Sequence, residues 1–212
     1  SQKGNQMTGD RKTHWDCVYR EKPEASLTWH QDRPAASLAL IDNAGLTPSS
    51  SVIDVGGGTS RLAASLLAIG IRDVTVLDIS GVALDHARDQ LGDAGKSVKW
   101  IATDITVWSP DRQYDLWHDR AVFHFLVDPD ERMAYVANLK KGLRIGGHVI
   151  IATFAPDGPE KCSGLPVVRY SPADLGAVLG DDFELITHRN EMHQTPMGRT
   201  QSFQFSFFRR IA

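Results

Sequence analysis

The sequence predicts an α/β fold with one doubly wound sheet, parallel except for a late strand. Apolar, β-rich runs alternate with helix-patterned stretches along most of the chain. The runs at 51–55, 74–79, 98–102, 114–117 and 148–154 lack strict alternation, as strands covered on both faces do. The last run, 201–210, alternates with period two through Phe203, Phe205 and Phe207, which suits an antiparallel strand with one wetter face.

Each element has a local reason. A helix is predicted over 34–44, with Pro34 at its first position and Gly45 as its stop. Helical patterns follow over 61–69, 82–91 and 131–143, and a short one opens at Ser171-Pro172 and ends near Gly180. One more strand is expected at 183–189. No Pro/Gly/Ser-rich linker divides the chain, so residues 31–212 are expected to form one domain, with 1–30 as a tail and lid segment. Met7 is read as the natural start and the residues before it as an addition, so the first ten residues enter no predicted element.

Composition narrows the function. The 212 residues carry 23 Lys and Arg against 26 Asp and Glu, a net charge of −3. Nothing in that balance is an electrostatic footprint for nucleic acid. No apolar run approaches the ~18 residues that span a bilayer, so no membrane association is expected. The two cysteines, Cys17 and Cys162, form neither a disulfide framework nor a metal-binding pair, and a cytoplasmic location is expected.

The most informative segment is Ser51-Val52-Ile53-Asp54-Val55-Gly56-Gly57-Gly58-Thr59-Ser60. A buried strand enters a glycine turn and a helix opens behind it, so backbone can approach a ligand at the helix N-terminus. A dinucleotide fingerprint would need glycine at 61, which is Arg61, and no Gly-Lys-Ser/Thr of a P-loop is present. Asp54, two residues before Gly56, would repel pyrophosphate and attract an ammonium group. That preference points to S-adenosylmethionine. Further partners follow in order: Asp78 at the tip of the second strand suits ribose hydroxyls, and Asp104 after the third suits an adenine amino group. Ile79 and Ile105 are placed to sandwich the ring, with the Ile105 amide facing a ring nitrogen.

These residues resemble the class I S-adenosylmethionine-dependent methyltransferases. The glycine turn is similar to their first motif, Asp78 and Asp104 to their ribose- and adenine-binding acids, and 143–151 to their fifth strand and its turn. The resemblance implies a Rossmann-like sheet of seven strands in the order 3-2-1-4-5-7-6, with strand 7 antiparallel. It also implies S-adenosyl-L-methionine as cofactor and S-adenosyl-L-homocysteine as product. His14-Trp15-Asp16-Cys17-Val18-Tyr19-Arg20 and Asp54-Val55-Gly56-Gly57-Gly58-Thr59-Ser60 resemble the lysine methyltransferases of elongation factor 1A and citrate synthase. After strand four the match departs, because Arg120-Ala121-Val122-Phe123-His124 stands where that group has Lys-Gly-Thr.

Trp15, Tyr19 and Trp29 are expected to form a lid over the cofactor. Asp119 is expected beside the methyl group, as a catalytic residue or a partner of the cofactor's ammonium, and His124 as a general base. His118 is expected to point away, Arg169 to make a surface salt bridge with an anion site as the alternative, and Cys162 to lie in a functional loop over 155–170. The spacing of Cys162, His188 and His193 fits no metal pattern, and no metal is expected. The acceptor is either a small-molecule nucleophile, which the histidine-bearing apolar loop favours, or a protein lysine. A nicotinamide-dependent reductase and a non-catalytic cofactor-binding module are the competing readings. The sequence sets no oligomeric state.

Overall fold

The computed structural model describes residues 2–212, with side chains from Gly9 onward. Seven strands form one sheet: β1 (Ser51–Val55), β2 (Asp73–Asp78), β3 (Lys99–Ala102), β4 (Tyr114–Arg120), β5 (Leu143–Phe154), β6 (Phe183–Gln194) and β7 (Thr200–Arg210). Their order is β3-β2-β1-β4-β5-β7-β6, with β7 antiparallel to both neighbours and the rest parallel, as the resemblance implies. β1 is buried along its whole length, the pattern of a central strand covered on both faces.

Helices α1 (Gln2–Glu21), α2 (Ala35–Asp42), α3 (Leu62–Ala68), α4 (Gly81–Leu91), α5 (Pro129–Gly142) and α6 (Pro172–Leu179) cover the sheet. One apolar core joins α2, α3 and Leu84 of α4 to Val52, Val76, Leu116 and the Phe203–Phe205–Phe207 stripe. On the opposite face, α5 and α6 pack on Ile53, Val55, Trp117 and Ile151. The caps follow from sequence. Ser80 caps α4 by accepting from the Ala83 amide, Asp128 caps α5, and Ser171 with Asp174 makes a capping box on α6.

Two elements differ from expectation. Helix α1 occupies part of the expected tail, and its Arg11, Trp15 and Tyr19 share the face laid on the sheet's carboxyl edge. The 155–170 loop folds a small hairpin, Lys161–Cys162 against Leu165–Pro166, that places Cys162 in the same cleft. Among the described residues, no helix is long and apolar enough to cross a membrane.

Helix α1 is tied down by Asp16, which accepts from Ser80 Oγ at 2.6 Å and from Lys12 Nζ at 2.5 Å. Burial raises the Asp16 carboxyl, but these two bonds outweigh it and hold it below the usual carboxylate range. Asp16→Ala should therefore free the helix. A charge-assisted bond contributes about 1.5–3 kcal/mol, so amide exchange over 9–21 should accelerate roughly ten- to a hundredfold. Unchanged exchange there would show that aromatic packing alone seats α1.

Candidate active site

The carboxyl ends of β1, β2, β3 and β4 open on a cleft of about 820 Å³, part of it open to solvent. The end at β1–β3 is lined by Val55, Gly56, Asp78, Ile79, Asp104 and Ile105, and its far end by Phe125, Cys162, Gln201 and Phe203. Trp15 and Trp29 line it from the N-terminal side, with ring centroids 5.5 Å apart in an edge-to-face contact.

The turn after β1 has no room for side chains. Gly56 has φ +69°, and a Cβ there would lie 1.9 Å from Val122 Cγ2. At Gly58, with φ +44°, a Cβ would lie 2.6 Å from the Tyr19 hydroxyl and 3.2 Å from Asp78 Oδ2. Gly56 N–H donates to the Leu77 carbonyl at 2.6 Å, which locks the turn against β2.

Asp78 closes β2 and accepts from the Ser80 amide at 2.8 Å, with the Gly58 backbone beside its other oxygen. Burial pushes its carboxyl up to about 7, with further push from the negative charges of Asp54 and Asp16. Asp104 is already engaged: Oδ1 accepts from the Thr106 amide and hydroxyl, and Oδ2 accepts from Arg11 Nη1 at 3.1 Å. Arg11 also donates to Glu131 at 2.6 Å, so α1 spans the β1–β3 end of the cleft.

Asp54 lies below the glycine turn, beside a second hollow that it lines with Thr59, Ser60, Arg61, His118 and Arg120. His118 points away from the cleft, into the second hollow. Its Nδ1 lies 2.7 Å from Asp54 Oδ1 and its Nε2 lies 2.8 Å from Ser37 Oγ, all three residues being buried. Register explains it, since Asp54 pairs with His118 across the parallel β1–β4 ladder and the two share a face. Asp54 Oδ2 remains buried without a partner.

The same register corrects Asp119. It pairs with Val55 and faces α5, away from the cleft. Its carboxylate accepts from the Val122 amide at 2.8 Å, the Phe123 amide at 3.1 Å and the Tyr135 hydroxyl at 2.7 Å. Burial raises it to about 6 against those three bonds. Asp119 thus holds the turn in which Ala121 adopts φ +73°, a conformation unfavourable for a residue with a Cβ.

His124 is corrected as well. It is fully buried outside the cleft lining, and its Nδ1 accepts from the Phe154 amide at 3.1 Å. Burial, and then the charge of Arg120, lower it to about 3, so at neutral pH it is an uncharged staple between the turn and β5. Arg169 makes the expected surface salt bridge, to Glu160 at 3.4 Å. His193 is buried 2.7 Å from the Thr28 carbonyl, and His188 is exposed on β6.

Arg120 is the residue that sequence reasoning passed over. It lines both the cleft and the second hollow, and its guanidinium carbon lies 4.8 Å from the Phe203 ring centroid. Its only sequence signal was its place after strand four, where the resemblance breaks.

The residues at this edge fit a nucleoside bearing an ammonium group. Asp54 Oδ2 is buried and unpartnered beneath the glycine turn, the turn has no room for side chains, and Asp78 closes β2 on the cleft. Comparison with known proteins agrees. Residues 52–147 match the family described as "Methyltransferase domain", in line with the resemblance read from the sequence. It is 28% identical over 146 residues to malonyl-[acyl-carrier protein] O-methyltransferase 1 of Ilyobacter polytropus, covering 66% of this chain and 52% of that protein. Against the eEF1A lysine and N-terminal methyltransferase homolog of Drosophila melanogaster it is 23% identical over 146 residues, covering 65% of this chain and 21% of that protein. The chain thus spans about half the length, or less, of these curated relatives. The fold is shared with Burkholderia thailandensis 1,6-didemethyltoxoflavin-N1-methyltransferase, solved with S-adenosylhomocysteine, at TM-score 0.75 and 18% identity over 98% of this chain and 90% of that one.

Proposed function

We propose that the chain transfers a methyl group from S-adenosylmethionine to a small-molecule nucleophile. The observation that carries the acceptor class is the far end of the cleft, where Phe125, Phe203 and Trp29 surround a guanidinium and, among the described residues, no carboxylate lines the wall. A lysine ammonium entering that space would meet Arg120 as a like charge before it could lose its proton. A lysine of pKa about 10.4 is only about 0.04% neutral at pH 7 and needs a site that does not repel its cation.

When bound, the cofactor supplies an already activated sulfonium methyl. The protein's task is alignment and exclusion of water. Asp78 receives the ribose hydroxyls, Ile79 and Ile105 flank the adenine, and Asp104, shared with Arg11, marks the amino edge. Asp54 Oδ2 receives the ammonium. Trp15 and Tyr19 on α1, with Trp29 beyond it, close the nucleoside in as a lid on the 31–212 domain. Asp119 acts as a positioning residue through the turn that carries Arg120 and Val122.

Asp78 must be ionised to accept two hydroxyls, yet in the free protein it is raised to about 7. Cofactor binding therefore releases a proton near that pH. Affinity for S-adenosylhomocysteine should be flat above pH 8 and fall toward tenfold per pH unit below about 6.5. Calorimetry in buffers of different ionisation enthalpy measures the proton directly; a pH-independent affinity between 5.5 and 8 would place the ribose elsewhere.

The acceptor class is tested by incubating the protein and tritiated-methyl cofactor with cell extract, then separating protein from small molecules. Label in the small-molecule fraction is expected. Label confined to lysines of one protein would overturn the reading in favour of the relatives that act on elongation factor 1A.

A further inference from the structure

Arg120 is a half-buried residue whose guanidinium has one edge out of water and idle. Nη1 donates to the Trp29 carbonyl at 2.9 Å, whereas Nε and Nη2 are both out of water and unpartnered. The nearby acids are spent on other groups: Glu191 accepts from Gln31 at 2.7 Å, and Asp54 pairs with His118 at 2.7 Å. No ion pair within 4.0 Å reaches Arg120 among the described residues. His193, the other titratable group facing this region, lies against the Thr28 carbonyl. Burial lowers the guanidinium only to about 10, so it is charged at neutral pH.

Leaving two donors of a cation buried and unsatisfied is unfavourable, and a resident counter-charge would normally be found. Nε–H and Nη2–H are also the parallel pair that receives a carboxylate side-on through two bonds. Phe203 lies against the guanidinium at 4.8 Å, and Trp29, Cys162 and Gln201 complete the surrounding wall. Cys162 is not an alternative counter-charge, because burial pushes its thiol up to about 11.

We infer that the acceptor is an organic acid with a flat, apolar body, held by a carboxylate on the Nε/Nη2 edge of Arg120 with the body among Phe203, Trp29 and Phe125. The ion pair occupies both carboxylate oxygens, so the carboxylate is the anchor and the methyl goes to another atom of the same molecule. This inference rests on the small-molecule reading above and adds the chemical class.

Calorimetry on the protein loaded with S-adenosylhomocysteine tests it, using matched pairs: benzoate and benzamide, indole-3-acetate and indole-3-acetamide, quinoline-2-carboxylate and its carboxamide. In the wild type, at least one acid should bind tenfold or more tightly than its amide. In Arg120→Met that preference should shrink to within twofold while affinity for S-adenosylhomocysteine stays within threefold. Arg120→Lys should keep part of the preference. Removal of an unpaired, half-buried charge should leave Arg120→Met melting no lower than the wild type. Equal affinity for acids and amides, binding of no acid in the panel, or an acid preference that survives Arg120→Met would each overturn the inference. A tenfold loss of S-adenosylhomocysteine affinity in Arg120→Met would overturn it too, by assigning the guanidinium to the cofactor's own carboxylate. If the wild type itself fails to bind S-adenosylhomocysteine, the cofactor reading fails first and this inference falls with it.

Discussion

Asp78→Ala should lower affinity for S-adenosylhomocysteine by at least about a hundredfold at pH 8 while the fold survives. Two hydroxyl bonds to a carboxylate contribute about 1.5–3 kcal/mol each, and 1.4 kcal/mol is a factor of ten. The variant also carries a stability signature. The Asp78 carboxyl sits near 7 in the folded protein, above the ~3.9 of an unfolded aspartate. Between those values the folded state binds more protons than the unfolded one, so this group's contribution to stability declines as pH rises from about 4 to 7. Alanine removes that decline. The gap in unfolding free energy between wild type and Asp78→Ala should narrow from pH 5 to pH 8, and a gap that widens would mean the carboxylate is not held up by burial.

Asp119→Ala should be the most damaging substitution to the fold. It strips the acceptor from two buried amides and from the Tyr135 hydroxyl. At about 1–3 kcal/mol for each buried donor left unpaired, a loss of about 3–5 kcal/mol is expected in denaturant unfolding. Tyr135→Phe removes one of the three bonds and should cost about 1 kcal/mol. Should Asp119→Ala unfold within 1 kcal/mol of the wild type while methyl transfer disappears, the carboxylate would face the reacting atoms and the turn-holding role would be wrong.

What could be read beforehand was what is local. The β1 strand, the glycine turn and Asp78 announce themselves within one continuous stretch or its neighbour, because apolar runs and glycine conformations are set by adjacent residues. Facing is not local. Asp119 faces α5 rather than the cleft, since which strand residue points into a cleft depends on how β4 registers against β1, and the β4–β5 ladder shifts between Tyr114 and Leu116. Helix α1 was missed because its sequence is polar. It is seated by three residues at four-residue spacing, Arg11, Trp15 and Tyr19, and by the Asp16–Ser80 bond, a tertiary contact across 64 residues. Arg120 stands out only in three dimensions, where it lies on the face opposite Asp119 and, among the described residues, has no carboxylate within ion-pair distance.

On the proposed reading, the carboxyl edge of β1, β2 and β3 holds a sulfonium nucleoside in one orientation. A crystal structure of the protein grown with S-adenosylhomocysteine tests it most directly. Ribose oxygens are expected within hydrogen-bond distance of Asp78, adenine between Ile79 and Ile105, and the amine on Asp54. A ligand lying in another part of the molecule, or reversed with its adenine toward Phe203, would contradict it.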